Sequence, residues 1–175
     1  MYIPRKPGAI RGASIKESMH NLYFNEMYKA LNSGYVIFLD DDDQFELPQS
    51  LQLLSQLVTN TEDPSNSVFF WRVRFPDNLL IPRDPNNFEF RPGNISGIGF
   101  CFHSSYCSAA AWDHLKESDF RVAHKLKIAC RKSYFVPLVL TGLQRESGWG
   151  GFGARDDLDS SQSRPNSVAD RSERS

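Results

Sequence analysis

Along this chain, stretches with an apolar residue at every third or fourth position alternate with short stretches that are apolar throughout or at every second position. Ser14-Ile-Lys-Glu17 has the form of a capping box, in which the Ser and Glu side chains satisfy the free N–H groups of a helix start. After it, Ile15, Met19, Leu22, Tyr23, Met27, Ala30 and Leu31 recur at helical spacing, and Gly34 stands where a C-terminal cap belongs. Tyr35-Val-Ile-Phe-Leu39 is wholly apolar, which predicts a short strand buried on both faces. A second amphipathic helix follows, with Leu47, Leu51, Leu54, Leu57 and Val58 on its inner side. Val68 to Phe75 alternates as a strand, with Phe69, Trp71, Val73 and Phe75 on one face and Arg72 and Arg74 on the other. Pro76 to Gly93 reads as loop, and Ile95 to His103 as a strand broken by glycine. Phe120, Ala123, Leu126 and Cys130 share a face of a third helix. Tyr134 to Leu140 forms a last strand, in which Pro137 predicts an edge position or a bulge. Strands alternating with helices imply an α/β sheet with one or two crossovers.

Composition narrows the function. The 175 residues suit one domain, and 20 basic against 21 acidic side chains leave no basic patch of the size that nucleic-acid binding needs. No apolar run is long enough to span a bilayer, and the opening MYIPRKPGAIRG lacks the apolar core of a secretory signal. Cys101, Cys107 and Cys130 are odd in number and have no CxxC spacing, so neither a disulfide framework nor a thiolate zinc site is expected. Cys101, His103 and Cys107 lack a fourth metal ligand and read as buried thiols beside an ordinary histidine. A reducing, cytoplasmic setting follows. Residues 154–175 contain six serines and no aromatic residue, which predicts a disordered tail behind a domain over residues 1–153.

One feature breaks the charge balance: Asp40, Asp41, Asp42 and Asp43 stand side by side at the end of the apolar strand. The carboxyl edge of an open α/β sheet is where ligands bind. Neighbouring carboxylates about 4 Å apart repel by about 4 kcal/mol at an effective dielectric of 20. Such a cluster needs a cation or full hydration, and Mg²⁺ is commonly held by one or two carboxylates plus substrate phosphates. A metal–diphosphate site is therefore expected, with Asp43 also placed to cap the helix that starts near Pro48. An EF-hand does not fit, because Phe45 and Leu51 occupy its glycine and glutamate positions. A Walker B strand does not fit either, since the chain has no GxxxxGK[ST].

The segment from Asn25 through Gly34-Tyr35 and the apolar strand to Asp40-x-Asp42 resembles the centre of a family 2-type glycosyltransferase with a GT-A fold. The family's Ala-Arg before the Asn is replaced here by Tyr23-Phe24, and Glu117-Ser-Asp119-Phe occupies the place of its catalytic acidic motif. The resemblance covers residues 10 to 153. It implies a GT-A-like mixed sheet flanked by helices, here without the N-terminal βαβ unit that usually holds the nucleotide base. That implies an N-terminally truncated, viral or phage-like version.

The resemblance further implies inverting transfer of a sugar from a nucleoside diphosphate donor, a UDP-sugar first of all, to a glycan or other hydroxyl acceptor. Mn²⁺ or Mg²⁺ would be the cofactor, bound by Asp42 with Asp40 on the ribose or a metal-bound water, and Asp41 as the alternative to Asp40. Asn25 and Arg145 would complete the donor site, and Ser147-Gly-Trp-Gly-Gly-Phe-Gly153 would form a mobile lid or a link into the tail. Asp119 is the implied general base. Its place just before a helix also suits an N-cap, and Glu117 and Asp113 are the nearest substitutes. Two readings compete: a remnant that binds metal or donor without turnover, and a phosphohydrolase or nuclease built on the same carboxylates.

Overall fold

The computed structural model describes residues 21–40, 43–76 and 78–143. Three α-helices and six strands make up this part: α1 (Leu22–Tyr28), β1 (Tyr35–Ile37), β2 (Asp43–Phe45), α2 (Ser50–Thr59), β3 (Ser67–Arg74), β4 (Leu80–Ile81), β5 (Phe100–His103), α3 (Ser118–Ala129) and β6 (Lys132–Leu143). The fold is mixed α/β around one mixed sheet. The predicted capping box at Ser14, the helical positions Ile15 and Met19, and the tail from residue 154 lie outside the described residues.

The strands pair in the order β1-β5-β3-β6-β2, with β4 on β3. β5 is antiparallel to both β1 and β3, and β6 is parallel to β3. Hence β1, β3 and β6 run in one direction and end at one edge. β2 comes back beside the end of β6, with Asp43 opposite Leu143. Five residues, 38–42, therefore link the two outer strands of the path, six steps from Ile37 to Asp43. Laid flat, that link would cover about 19 Å across four strand gaps and about 20 Å along the strands, more than the roughly 21 Å that six extended steps reach. The sheet curls, and Asp40 lies just beyond the end of β1 at its carboxyl edge.

β3 is buried along most of its length on both faces, beyond the one-sided alternation expected of it. Val68 and Phe70 face a cluster with Phe100, Phe102, Val122, Ala123 and Leu126, whereas Phe69, Trp71 and Val73 face one with Leu54, Cys101, Leu140 and Leu143. α1 and α3 thus cover one face and α2 the other. On the α2 side the Trp71 indole N–H donates to Thr141 Oγ1 (2.8 Å), and that hydroxyl donates to the Ile98 carbonyl (2.7 Å), so the buried polar atoms are paired. Gly142 lies so close to Glu46 and the Arg74 carbonyl that no Cβ would fit.

Several expectations are corrected. β1 is an outer strand among the described residues, with Tyr35 and Leu39 exposed and Val36 and Phe38 buried, because it pairs on one side with β5. The described part of the first helix ends at Tyr28, and Gly34 (φ +133°) shapes the entry to β1 instead of capping that helix. α2 turns Leu53, Leu54, Leu57 and Val58 inward and leaves Leu51 in solvent, while Leu47 precedes the helix. Ile95 to Gly99 is loop, with only Phe100–His103 extended and paired. At Pro137 the β3–β6 register jumps from Trp71–Val136 to Arg72–Val139, the bulge that a missing N–H favours.

The phase of α3 can be tested. Leu126 is fully buried and Ile128 is 71% exposed. Urea denaturation should show Leu126→Ala costing about 2–5 kcal/mol and Ile128→Ala costing under about 0.5 kcal/mol.

Candidate active site

α3 ends where β3 and β6 begin, since the Arg131 N–H donates to the Asn66 carbonyl (2.9 Å) and Lys132 pairs with Ser67. Packed along the sheet, α3 therefore points its N-terminus toward the carboxyl edge, the edge at which β1 ends before Asp40. The chain thus brings two acidic features to one edge although about 80 residues separate them in sequence.

In the aspartate run, the Asp40 N–H donates to Asp43 Oδ2 (2.8 Å) and the Asp43 N–H donates to the Asp40 carbonyl (3.2 Å). Asp43 closes this turn and opens β2. It does not cap α2, which starts seven residues later at Ser50. Asp40 is exposed beyond the end of β1. Asp41, Asp42, Arg145 and the glycine-rich segment 147–153 lie outside the described residues. Among the described residues no three His, Cys, Asp or Glu side chains converge as a metal group. Cys101 is buried and its thiol is pushed up to about 12 by loss of solvent; the His103 ring packs on Tyr35 and bonds Ser105 Oγ (2.9 Å).

Asp119 lies in the first turn of α3 and is not its cap; Glu117 takes that position with φ +60°. A left-handed conformation at a residue with a Cβ costs of order 1 kcal/mol, and here it turns the chain into the helix. The Asp119 carboxyl is densely surrounded by protein, although the residue keeps some accessible surface. That burial raises its pKa from the ordinary aspartate value, against the pull of the Phe120 and Gly97 N–H groups, which bond to it. Glu117 raises it further and Arg121 lowers it.

The neighbouring carboxylate behaves oppositely. Asp113 takes both Arg121 nitrogens, at 2.7 and 2.5 Å, and its pKa falls to about 2, chiefly through that pairing. A carboxylate so held is a poor base, which removes Asp113 as a substitute for Asp119. Glu46 is likewise held by Arg74 at 2.6 Å on both oxygens, and Arg74 Nη1 is buried without a partner.

Trp112 joins the two halves of this edge. Its ring lies 5.0 Å from Phe38, two residues before Asp40, and its outer carbon would sit 3.4 Å from a Cβ on Gly97. Asn25 contacts this tryptophan's backbone through both ends of its amide. Phe24, one of the residues standing where the family has Ala-Arg, packs on both rings. Nothing local in the sequence marks Trp112, Gly97 or Arg121, because their roles depend on contacts between distant segments. An open cleft of about 510 Å³, lined by Arg83, Asp84, Asn87, Glu89, Arg91 and Asn94 among others, includes none of the acidic residues named above.

The chain matches no protein-family model and no curated protein. No described helix is long and apolar enough to cross a membrane.

The Asp113–Arg121 pair gives the fold a defined acid response. The folded pKa of Asp113 lies below the unfolded one, near 3.9. Its stabilisation is therefore complete above about pH 4 and disappears as the pH falls toward 2. In urea titrations from pH 6 to pH 2, Asp113→Asn should be less stable than the parent chain at pH 6, and the gap should close with acidification.

Proposed function

We propose that this chain is a metal-dependent glycosyltransferase of GT-A type that moves a sugar from a nucleoside diphosphate donor, a UDP-sugar, to an acceptor hydroxyl with inversion. The observation that supports this reading is the placement of two acidic features toward the carboxyl edge: Asp40, where the aspartate run begins after β1, and a largely enclosed Asp119 in the first turn of α3.

In this reading the acceptor oxygen attacks the anomeric carbon, the bond from that carbon to the diphosphate breaks, and the hydroxyl proton passes to Asp119. A carboxylate whose pKa is raised toward the working pH is the stronger base for that transfer. The Phe120 and Gly97 N–H groups hold it in one orientation. A run of adjacent carboxylates offers hard oxygen donors of the kind Mn²⁺ and Mg²⁺ take, and Asp40 and Asp42 would hold the ion. Such an ion offsets the charge gained by the departing diphosphate.

A second reading is a remnant that binds metal or donor without turnover. It is favoured by β1, which among the described residues pairs on one side only.

Calorimetry with UDP-glucose and GDP-mannose, each with and without Mn²⁺, separates these readings. Metal-dependent heat followed by sugar transfer supports the enzyme. Heat without transfer supports the remnant, and no heat from either donor with the folded chain excludes both. Phosphate release or nucleic-acid cleavage without an acceptor would instead indicate a hydrolase.

Two variants assign the roles. Asp42→Ala should abolish metal-dependent donor binding. Asp119→Asn should keep it and slow transfer by about 10²–10⁴-fold, and unchanged transfer would remove Asp119 as the base.

A further inference from the structure

α1 contributes no fully buried residue, yet it makes an unusual number of polar contacts with one loop. Asn25 Oδ1 accepts the Trp112 N–H at 2.8 Å, and Asn25 Nδ2 donates to the Trp112 carbonyl at 2.8 Å. One turn on, the Tyr28 hydroxyl donates to the Ala110 carbonyl and accepts the Trp112 indole N–H, both at 3.0 Å. One residue before, the Phe24 ring lies 4.7 Å from the indole. A seven-residue helix on its own is marginal in water, so α1 is held by what it grips, and that is residues 110–112.

What Trp112 touches next matters more. Its ring backs Gly97, whose N–H bonds the Asp119 carboxylate. The following residue, Asp113, donates its N–H to Ser118 Oγ (3.0 Å) and pairs with Arg121, so the same loop flanks Asp119 on both sides along α3. Of the two amide atoms of Asn25, both are already engaged by the Trp112 backbone, an arrangement that neither an ionised Asp nor Ala can reproduce.

We infer that Asn25 is a positioning residue: its side-chain amide clamps the Trp112 backbone and thereby sets the enclosure and orientation of the Asp119 carboxyl, rather than contacting the donor. The inference rests on the reading of Asp119 as the base for its catalytic consequence, but its physical content does not. Charged groups facing Asp119 are Glu117 and Arg121 on its own helix, with Asp113 acting through Arg121. Asn25 carries no charge, so its effect on Asp119 is transmitted through packing.

The test is a ¹³C-carboxyl NMR titration of Asp119 in the full chain, the resonance assigned by its loss in Asp119→Asn. Asn25→Ala should admit solvent and move the Asp119 titration down toward the ordinary carboxylate value. Asn25→Ser adds no charge, and its short hydroxyl cannot reach both the Trp112 N–H and carbonyl, so it should also move the titration down and serves if Asn25→Ala does not fold. Leu54→Ala, which loosens the opposite face of the sheet, should leave the titration where it is. An unchanged Asp119 titration in a folded Asn25 variant, or an equal shift in Leu54→Ala, would overturn the inference. If the chain proves active, calorimetric donor affinity should be the same in Asn25→Ala while kcat falls. Loss of donor affinity would return Asn25 to the donor site. Failure of the transfer assay in the parent chain would count against the proposed activity and leave the titration result standing.

Discussion

Most residues of β3 have no solvent side. Val68 and Phe70 face one cluster, Phe69, Trp71 and Val73 face the other, and three strands bond to it. Burying both faces removes water from every peptide group, so the backbone hydrogen bonds have to be met by neighbours. β5 and β4 share one side of the strand in succession, and β6 takes the whole of the other. Since β6 runs parallel to β3, a crossover has to carry the chain back, and α3 is its last part. The position of Asp119 is thus a consequence of how β3 is satisfied.

Electrostatics then distinguishes acids held in arginine pairs from one enclosed among backbone N–H groups. Asp113 and Glu46 each receive two contacts from one arginine, an arrangement that favours the ionised form and fixes geometry. Asp119 receives backbone N–H groups in a crowded setting, and there desolvation prevails. Asp113 and Asp119, both flanking the start of α3, are pushed in opposite directions by these environments. Pairs separated in this way are a recurrent sign of a site where a proton is moved.

Much of this was legible in the residues. Apolar periodicity located α2, β3, α3 and β6 to within a few residues, because each must hide a face from water. The proline in β6 announced its bulge, since a residue without an N–H interrupts a ladder wherever it stands. The misreadings have a common cause. Tyr35–Leu39 is apolar throughout, which periodicity reads as a strand buried on both faces, but whether a strand has neighbours on both sides depends on the rest of the sheet. Leu51 matches the helical period and still points outward, because the rotation of α2 is set by the surface it meets.

The amino-acid sequence by itself determined the class of fold and the abrupt change from apolar strand to four carboxylates, both of which are encoded by near neighbours. Only the tertiary structure decided which acids are held in ion pairs and which is enclosed. Asp113, Glu117 and Asp119 are alike as letters; an arginine eight residues on neutralises the first, a left-handed backbone spends the second on the helix entry, and enclosure by Gly97 and Trp112 sets the third apart. A carboxylate's proton affinity is fixed by the solvent and charges within a few ångströms, and those come from segments far away along the chain.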